Sequence, residues 1–183
     1  MLDRHRLRLT VNPKHQGPRD RAYDRQHHGQ GPCRCERGKR GAQAAAIGRS
    51  RGGLTTKLHA VVDALGLPLR IHPTPGQHGD CPQAKALLSG FQGVGHVIAD
   101  AAYDADPLRA FIADDLEACA QIKANPSRTN KPPIDWRLYK ERHQIECFFN
   151  RLKRFRRIAL RCEKTLPAFM GFVHLAWAMI WLR

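Results

Sequence analysis

Acidic residues are scarce in this chain. Sixteen Asp and Glu stand against 31 Lys and Arg over 183 residues, a formal charge of +15. With a pI near 10.3, that shortage points to a polyanionic partner, nucleic acid first among them. Ordered cysteine spacing is also lacking. Cys33-x-Cys35 is a lone pair, and Cys81, Cys119, Cys147 and Cys162 are scattered. This excludes a zinc pattern and a disulfide framework, and leaves reduced thiols in a cytoplasmic protein. No apolar segment follows Met1, so no secretion signal is expected. The one long apolar run, Leu166 to Leu182, includes Pro167 and His174 and sits at the short limit for a membrane span. A buried C-terminal helix is the better expectation. The glycines of Gly48-Arg49-Ser50-Arg51-Gly52-Gly53 lack nucleotide-binding spacing, and the chain has no internal repeat.

The positive charge is uneven. Residues 1–51 hold 13 Lys and Arg against 4 Asp and Glu, whereas the rest hold 18 against 12. Leu7, Leu9 and Val11 alternate with Arg and Thr as in one short strand. Beyond them Gly, Pro, His, Gln and Arg dominate, which favours disorder. Such a segment reads either as a basic arm that neutralises phosphates or as a solvated tail.

From Gly41 the texture changes. Gly48 to Gly53 suggests a flexible basic loop. Leu54 to Val62 reads as a strand, Asp63-Ala64-Leu65-Gly66 as a turn, and Leu67 to Thr74 as the hairpin partner ended by Pro75-Gly76. Asp80 is placed to cap a helix across Pro82 to Leu88. His96-Val97-Ile98-Ala99-Asp100 is a short buried strand ending in a carboxylate. A helix over Ala105 to Asp115 and a strand over Ala118 to Ala124 follow, then a polar loop, Asn125 to Pro133, of a kind that could touch DNA. Strands alternating with helices indicate a layered α/β fold in one domain.

The stretch from Tyr139 to Lys153 carries the most information. At about 100° per residue, Tyr139, Arg142, Glu146 and Lys153 fall on one helical stripe, beside an apolar stripe of Leu138, Ile145, Phe148, Leu152 and Phe155. Taken alone, the polar stripe is an ordinary solvated face with i,i+4 pairing. Asp100 offers a second reading, because ligands of α/β sheets gather at strand carboxyl ends. A sheet Asp and a helix Glu meeting at one edge can hold Mg²⁺, though Asp100 equally suits a turn or a helix cap.

Val97-Ile98-Ala99-Asp100-Ala101-Ala102-Tyr103-Asp104, together with Tyr139-x-x-Arg142-x-x-x-Glu146-x-x-x-x-x-x-Lys153, closely resembles bacterial insertion-sequence transposases of the DDE type, Tyr-Arg-Glu-Lys branch. So do Gly48 to His59, Thr74-Pro75-Gly76-Gln77 and Phe172-Val173-His174-Leu175-Ala176. The resemblance spans Gly41 to Arg183. It implies an RNase H-like mixed sheet flanked by helices, with Asp100 as the second catalytic acid and Glu146 as the third. Both would bind divalent metal, Mg²⁺ or Mn²⁺, for attack on DNA phosphodiesters. It also implies that Tyr139, Arg142 and Lys153 hold phosphate or the transposon end, with Arg49 and Arg51 of the basic loop as further DNA contacts. The implied partners are transposon-end and target DNA, with a homodimer allowed and no membrane.

Two departures from the family pattern stand out. Ala101 occupies a position that is usually Lys. More seriously, the family's first acid lies in a strand reading Ile-Asp-Ser-Thr, and no such string stands in this sequence. Back-translating Asp24 to Cys33 and shifting the frame by one base gives codons compatible with Ile-Asp-Ser-Thr-Met-Val. Residues 1–40 are therefore expected to be an out-of-frame, disordered segment, and residues 41–183 a partial catalytic domain. Without the native central strand its neighbours are expected to expose unpaired edges. Leu7 to Val11 offers a substitute whose register nothing specifies. Asp20, Asp24 and Asp63 are the weak candidates for a replacement acid.

Three functions are compatible with this reading. The chain is a frameshifted, inactive transposase remnant, an active transposase using a substitute acid, or a non-catalytic basic nucleic-acid-binding protein.

Overall fold

The computed structural model describes residues 6–12, 46–50 and 53–182. Its strands are β1 (Arg6–Asn12), β2 (Gly48–Ser50), β3 (Gly53–Val62), β4 (Pro68–Pro75), β5 (His96–Ala99) and β6 (Cys119–Ile122). Its helices are α1 (Cys81–Leu88), α2 (Asp106–Asp114), α3 (Trp136–Lys140), α4 (His143–Lys153), α5 (Arg156–Ala159) and α6 (Leu166–Trp181). The spatial order of the sheet is β2-β3-β1-β5-β6, with β4 also paired to β3. β1 runs antiparallel to β3 and parallel to β5, and β5 runs parallel to β6.

The sheet is mixed because of how its strands are joined. β3 and β4 form a hairpin over a turn in which Asp63 Oδ1 accepts the Leu65 and Leu67 N–H groups, each at 2.9 Å. Gly66 supplies the positive φ of 75° that the turn requires. β5 and β6 are parallel, so they need a crossover, and α2 provides it. Pro107 and Pro167 lie in the first turns of α2 and α6, where a missing N–H costs nothing.

Side-chain alternation along the strands divides the core into two clusters on opposite faces. Leu7, Val61, Val97, Ala99 and Ile122 pack with Leu87 of α1 and Ile112 of α2. Leu58, Ala60 and Val62 pack with Phe148 and Leu152 of α4 and with Phe169 and Val173 of α6. Helices thus cover both faces, a three-layer α/β arrangement.

Several expectations need correction. The edges flanking the centre of the sheet are not left unpaired: β1 lies between β3 and β5, with Leu7 opposite Val97 and Val11 opposite His59. Its register is specified after all, because Leu7 is fully buried and a one-residue slip would reverse the faces. The expected flexible loop is partly strand, since Gly48, Arg49 and Ser50 pair with Thr55, Leu54 and Gly53. Arg51, Asp20, Asp24 and Cys33-x-Cys35 lie outside the described residues, as does the segment back-translated above. α1 forms as expected, but Asp80 makes no side-chain cap. Its carboxylate instead meets Lys57 Nζ at 2.8 Å, a charge-assisted contact that takes the place of the cap. Asp63 is fully buried and serves the hairpin turn.

The long polar helix is divided into α3 and α4. At the junction the Glu141, Arg142 and Gln144 N–H groups bond three residues back, to Leu138, Tyr139 and Glu141. The turn tightens there without leaving helical backbone angles. Ile145, Phe148 and Leu152 are buried as their spacing predicts, and Phe149 joins them. The C-terminal helix buries Phe169, Val173, Ala176 and Ile180. No described helix is long and apolar enough to cross a membrane.

Candidate nucleic-acid-processing site

The site forms where the carboxyl ends of β5 and β6 meet α3 and the start of α4. Asp100 directly follows β5 in extended conformation (φ −82°, ψ 177°), and its Oδ1 accepts the Ala102 N–H at 3.1 Å. Ala99 belongs to the α1/α2 cluster, so alternation turns Asp100 to the other face, the one covered by α4. Tyr103 and Asp104 then close a short 3₁₀ turn, with the Tyr103 N–H bonded to the Asp100 carbonyl.

Across from it, Glu146 lies in the first turn of α4, about half exposed, and Arg142 Nη2 reaches its Oε1 at 2.7 Å. The Arg142 guanidinium carbon sits 5.9 Å from the centre of the Tyr139 ring. Trp136 meets Tyr139 edge-on at 5.7 Å. An aromatic, cationic and acidic ladder therefore runs along α3 and α4.

The electrostatics couple these groups. Burial raises the Asp100 carboxyl above its ordinary range; the Ala102 N–H and Arg142 pull it back, whereas Asp80 and Glu146 push it further up. Burial likewise raises the Tyr139 phenol, with Arg142 opposing and the two carboxylates adding. Asp100, Tyr139, Arg142 and Glu146 are thus brought within mutual reach. Lys153 is not joined to them by any described contact; it lies seven residues beyond Glu146, about 10 Å along the helix axis. Arg49 is in β2, on the other side of β3 in the strand order.

Three features escaped sequence reasoning. Asp80, read as a cap, is a further charge near Asp100, neutralised by Lys57. Tyr103 is buried with its hydroxyl unpartnered among the described residues, and burial pushes its phenol strongly upward. Asp104 is the third. Its carboxylate is 1% exposed and receives Arg109 Nε at 2.8 Å, Arg128 Nε at 3.2 Å and the Asn125 N–H at 2.7 Å. Only the presence of Tyr103 and Asp104 in the strand-end motif pointed to either residue.

A mixed sheet flanked by helices, with an acid at a strand end facing an acid on a covering helix, is an arrangement suited to phosphodiester chemistry. A family model described as "Transposase DDE domain" matches residues 15–181, and the chain belongs to this family. It is also 82% identical over 130 residues to a Brucella ovis protein named as a transposase for insertion sequence element IS6501, covering 71% of this chain and all of that relative. No solved structure matches the chain significantly. By family, then, this is an insertion-sequence transposase whose substrate is DNA.

DDE transposases work with divalent metal ions, so the described residues must be tested against that requirement. They offer two carboxylates of the right hard-oxygen chemistry. Glu146 is engaged by Arg142 and Asp100 by a backbone N–H. Among the described residues, no three His, Cys, Asp or Glu side chains converge to hold a metal. The parallel register places Leu9 beside Ala99, so Thr10 is level with Asp100. The central strand, Arg6–Asn12, contains no acid. These residues fall short of a complete metal centre.

Proposed function

We propose that this chain is the catalytic part of a Tyr-Arg-Glu-Lys-type transposase that engages DNA but does not cut it. Asp100 and Glu146 are its second and third acids, two of the three carboxylates that a Mg²⁺ or Mn²⁺ centre would need. Tyr139 and Arg142 hold phosphate beside them, and Lys153, Arg49 and Arg51 contact DNA further along. The observation that carries this reading is the mutual electrostatic reach of Asp100, Arg142 and Glu146 at one sheet edge. Among the described residues no third carboxylate joins them, and in this reading that is why cleavage fails. A two-metal site clamps both the attacking and the leaving oxygen, and two acids cannot complete that clamp.

The reading further holds that residues 1–40 are translated out of frame, that Arg6–Asn12 stands in for the native central strand, and that residues 41–183 are the in-frame catalytic part. Two measurements test it. The nucleotide sequence of codons 24–33, read one base over, should give Ile-Asp-Ser-Thr; any other string removes the frameshift. Purified protein incubated with transposon-end duplex and Mg²⁺ should bind it without nicking or joining. Cleavage that disappears in Glu146→Gln would show an active enzyme instead.

A further inference from the structure

We infer a second phosphate-binding surface, formed by Lys123 and Lys131, on the side of Asp100 away from α4. The inference rests on DNA being the ligand of the Asp100–Glu146 edge. β5 and β6 are parallel neighbours with Ala99 opposite Ile122. The next residues, Asp100 and Lys123, are therefore level, on strands about 4.8 Å apart. Lys123 is exposed, and so is Lys131 in the loop that follows. Neither has a hydrogen-bond or ion-pair partner among the described residues.

That loop is held in place rather than left to drift. At its start, the Asn125 N–H and Arg128 Nε both bind the buried Asp104 carboxylate, four residues after Asp100. Arg128 also reaches Asp106, so its charge is spent internally. Asn125 Oδ1 accepts the Ser127 N–H at 3.2 Å and its hydroxyl at 3.0 Å, tightening the first turn. At its end, the Asp135 N–H donates to Gln121 Oε1 at 2.8 Å, and Asp135 caps α3. Pro132 and Pro133 restrict the backbone between these anchors. The result is a tethered arch beside the acid, exposing Thr129, Asn130 and Lys131 while its one arginine points inward.

A tethered backbone that carries cations beside the acids suits a polyanion, because the loop itself loses little ordering entropy on binding. The geometry gives the nucleic acid two lines of positive charge, Arg142 on one flank and Lys123 with Lys131 on the other, with Asp100 between them.

The test is a salt titration of binding to a short mixed-sequence duplex by the full chain. Each phosphate contact contributes about −0.9 to the slope of log K against log salt. Lys123→Ala and Lys131→Ala should each weaken binding about three- to tenfold at low salt and flatten the slope by about one. Both residues are exposed, so the variants should keep the wild-type melting temperature. Lys85→Ala, on α1 across the sheet, should leave affinity and slope unchanged. If the duplex binds but both site variants keep the wild-type slope, this surface is wrong and the proposed function stands. If wild-type protein does not bind duplex even at low salt, both fall.

Discussion

Arg142 and Glu146 form an ion pair of 2.7 Å across one turn at the start of α4, where the guanidinium also faces Tyr139. A cation held against a catalytic-type acid has two roles here. It fixes the position of the carboxylate, and in the proposed function it offers a fork of donors to an incoming phosphate. Arg142→Gln should weaken duplex binding about fivefold or more and flatten its salt dependence by about one. An unchanged dissociation constant would make the pair a plain helix-surface contact.

Asp100 should behave as a destabilised acid. Its carboxyl is raised chiefly by burial, so the stability it contributes is present at low pH and is lost as pH rises through its folded value. Asp100→Asn keeps an oxygen to accept the Ala102 N–H but carries no charge. The variant should melt above wild type, by a margin that grows from near pH 4 upward until the carboxyl is fully ionised. A variant that melts lower at every pH would show that the carboxylate is structural.

Thr10→Asp tests the register of the central strand. It sets a carboxylate level with Asp100, and Mn²⁺ binding measured by calorimetry should become detectable and then be lost on adding Glu146→Gln. No gain in metal binding would mean that β1 does not present this position to the acids.

His59 is fully buried, with Nε2 held to Thr74 Oγ1 at 2.7 Å. Burial lowers it to about 4, with Asp80 opposing and His72, Lys57 and His78 adding. A depressed histidine favours the folded state above the unfolded value of 6.5 and loses that contribution as pH falls toward 4. The unfolding free energy should drop by about 3 kcal/mol over that window. Urea midpoints for wild type and His59→Gln check this; equal pH slopes would acquit His59.

Asp104→Ala should be the most damaging single change. Against the burial that would raise it, the Asn125 N–H and two arginines hold the Asp104 carboxyl below its usual range. Its loss strands Arg109 with little solvent and leaves Arg128 only the exposed Asp106, at a cost of about 3 kcal/mol. Thermal melts should show it, whereas Asp106→Ala, at the exposed end of the same network, should cost under about 1 kcal/mol.

Much of the fold was legible because its signals are local. The β3–β4 hairpin follows from two apolar runs around Asp63-Ala64-Leu65-Gly66, and α4 from the spacing of Ile145, Phe148 and Leu152. What misled were residues whose partners come from elsewhere in the chain. Asp80 has the right type and place for a cap, but Lys57 arrives from a distant strand and takes it. The glycine-rich stretch at Gly48 looks flexible, yet backbone pairing to Thr55 needs no side chain and so leaves no pattern. Asp104 looked like part of a motif, because its partners lie up to 24 residues away.

By itself the sequence determined the family, since Asp100 and the Tyr139, Arg142, Glu146, Lys153 spacing are properties of the chain's order. It also determined that the central strand, whatever its origin, brings no acid. Only the tertiary structure decided which of those residues come together. Strand register and helix packing bring Asp100, Tyr139, Arg142 and Glu146 to one edge and leave Lys153 about two turns further along α4. They also bring Lys123 level with Asp100, a relation no spacing encodes, because it depends on how two parallel strands align across a helical crossover.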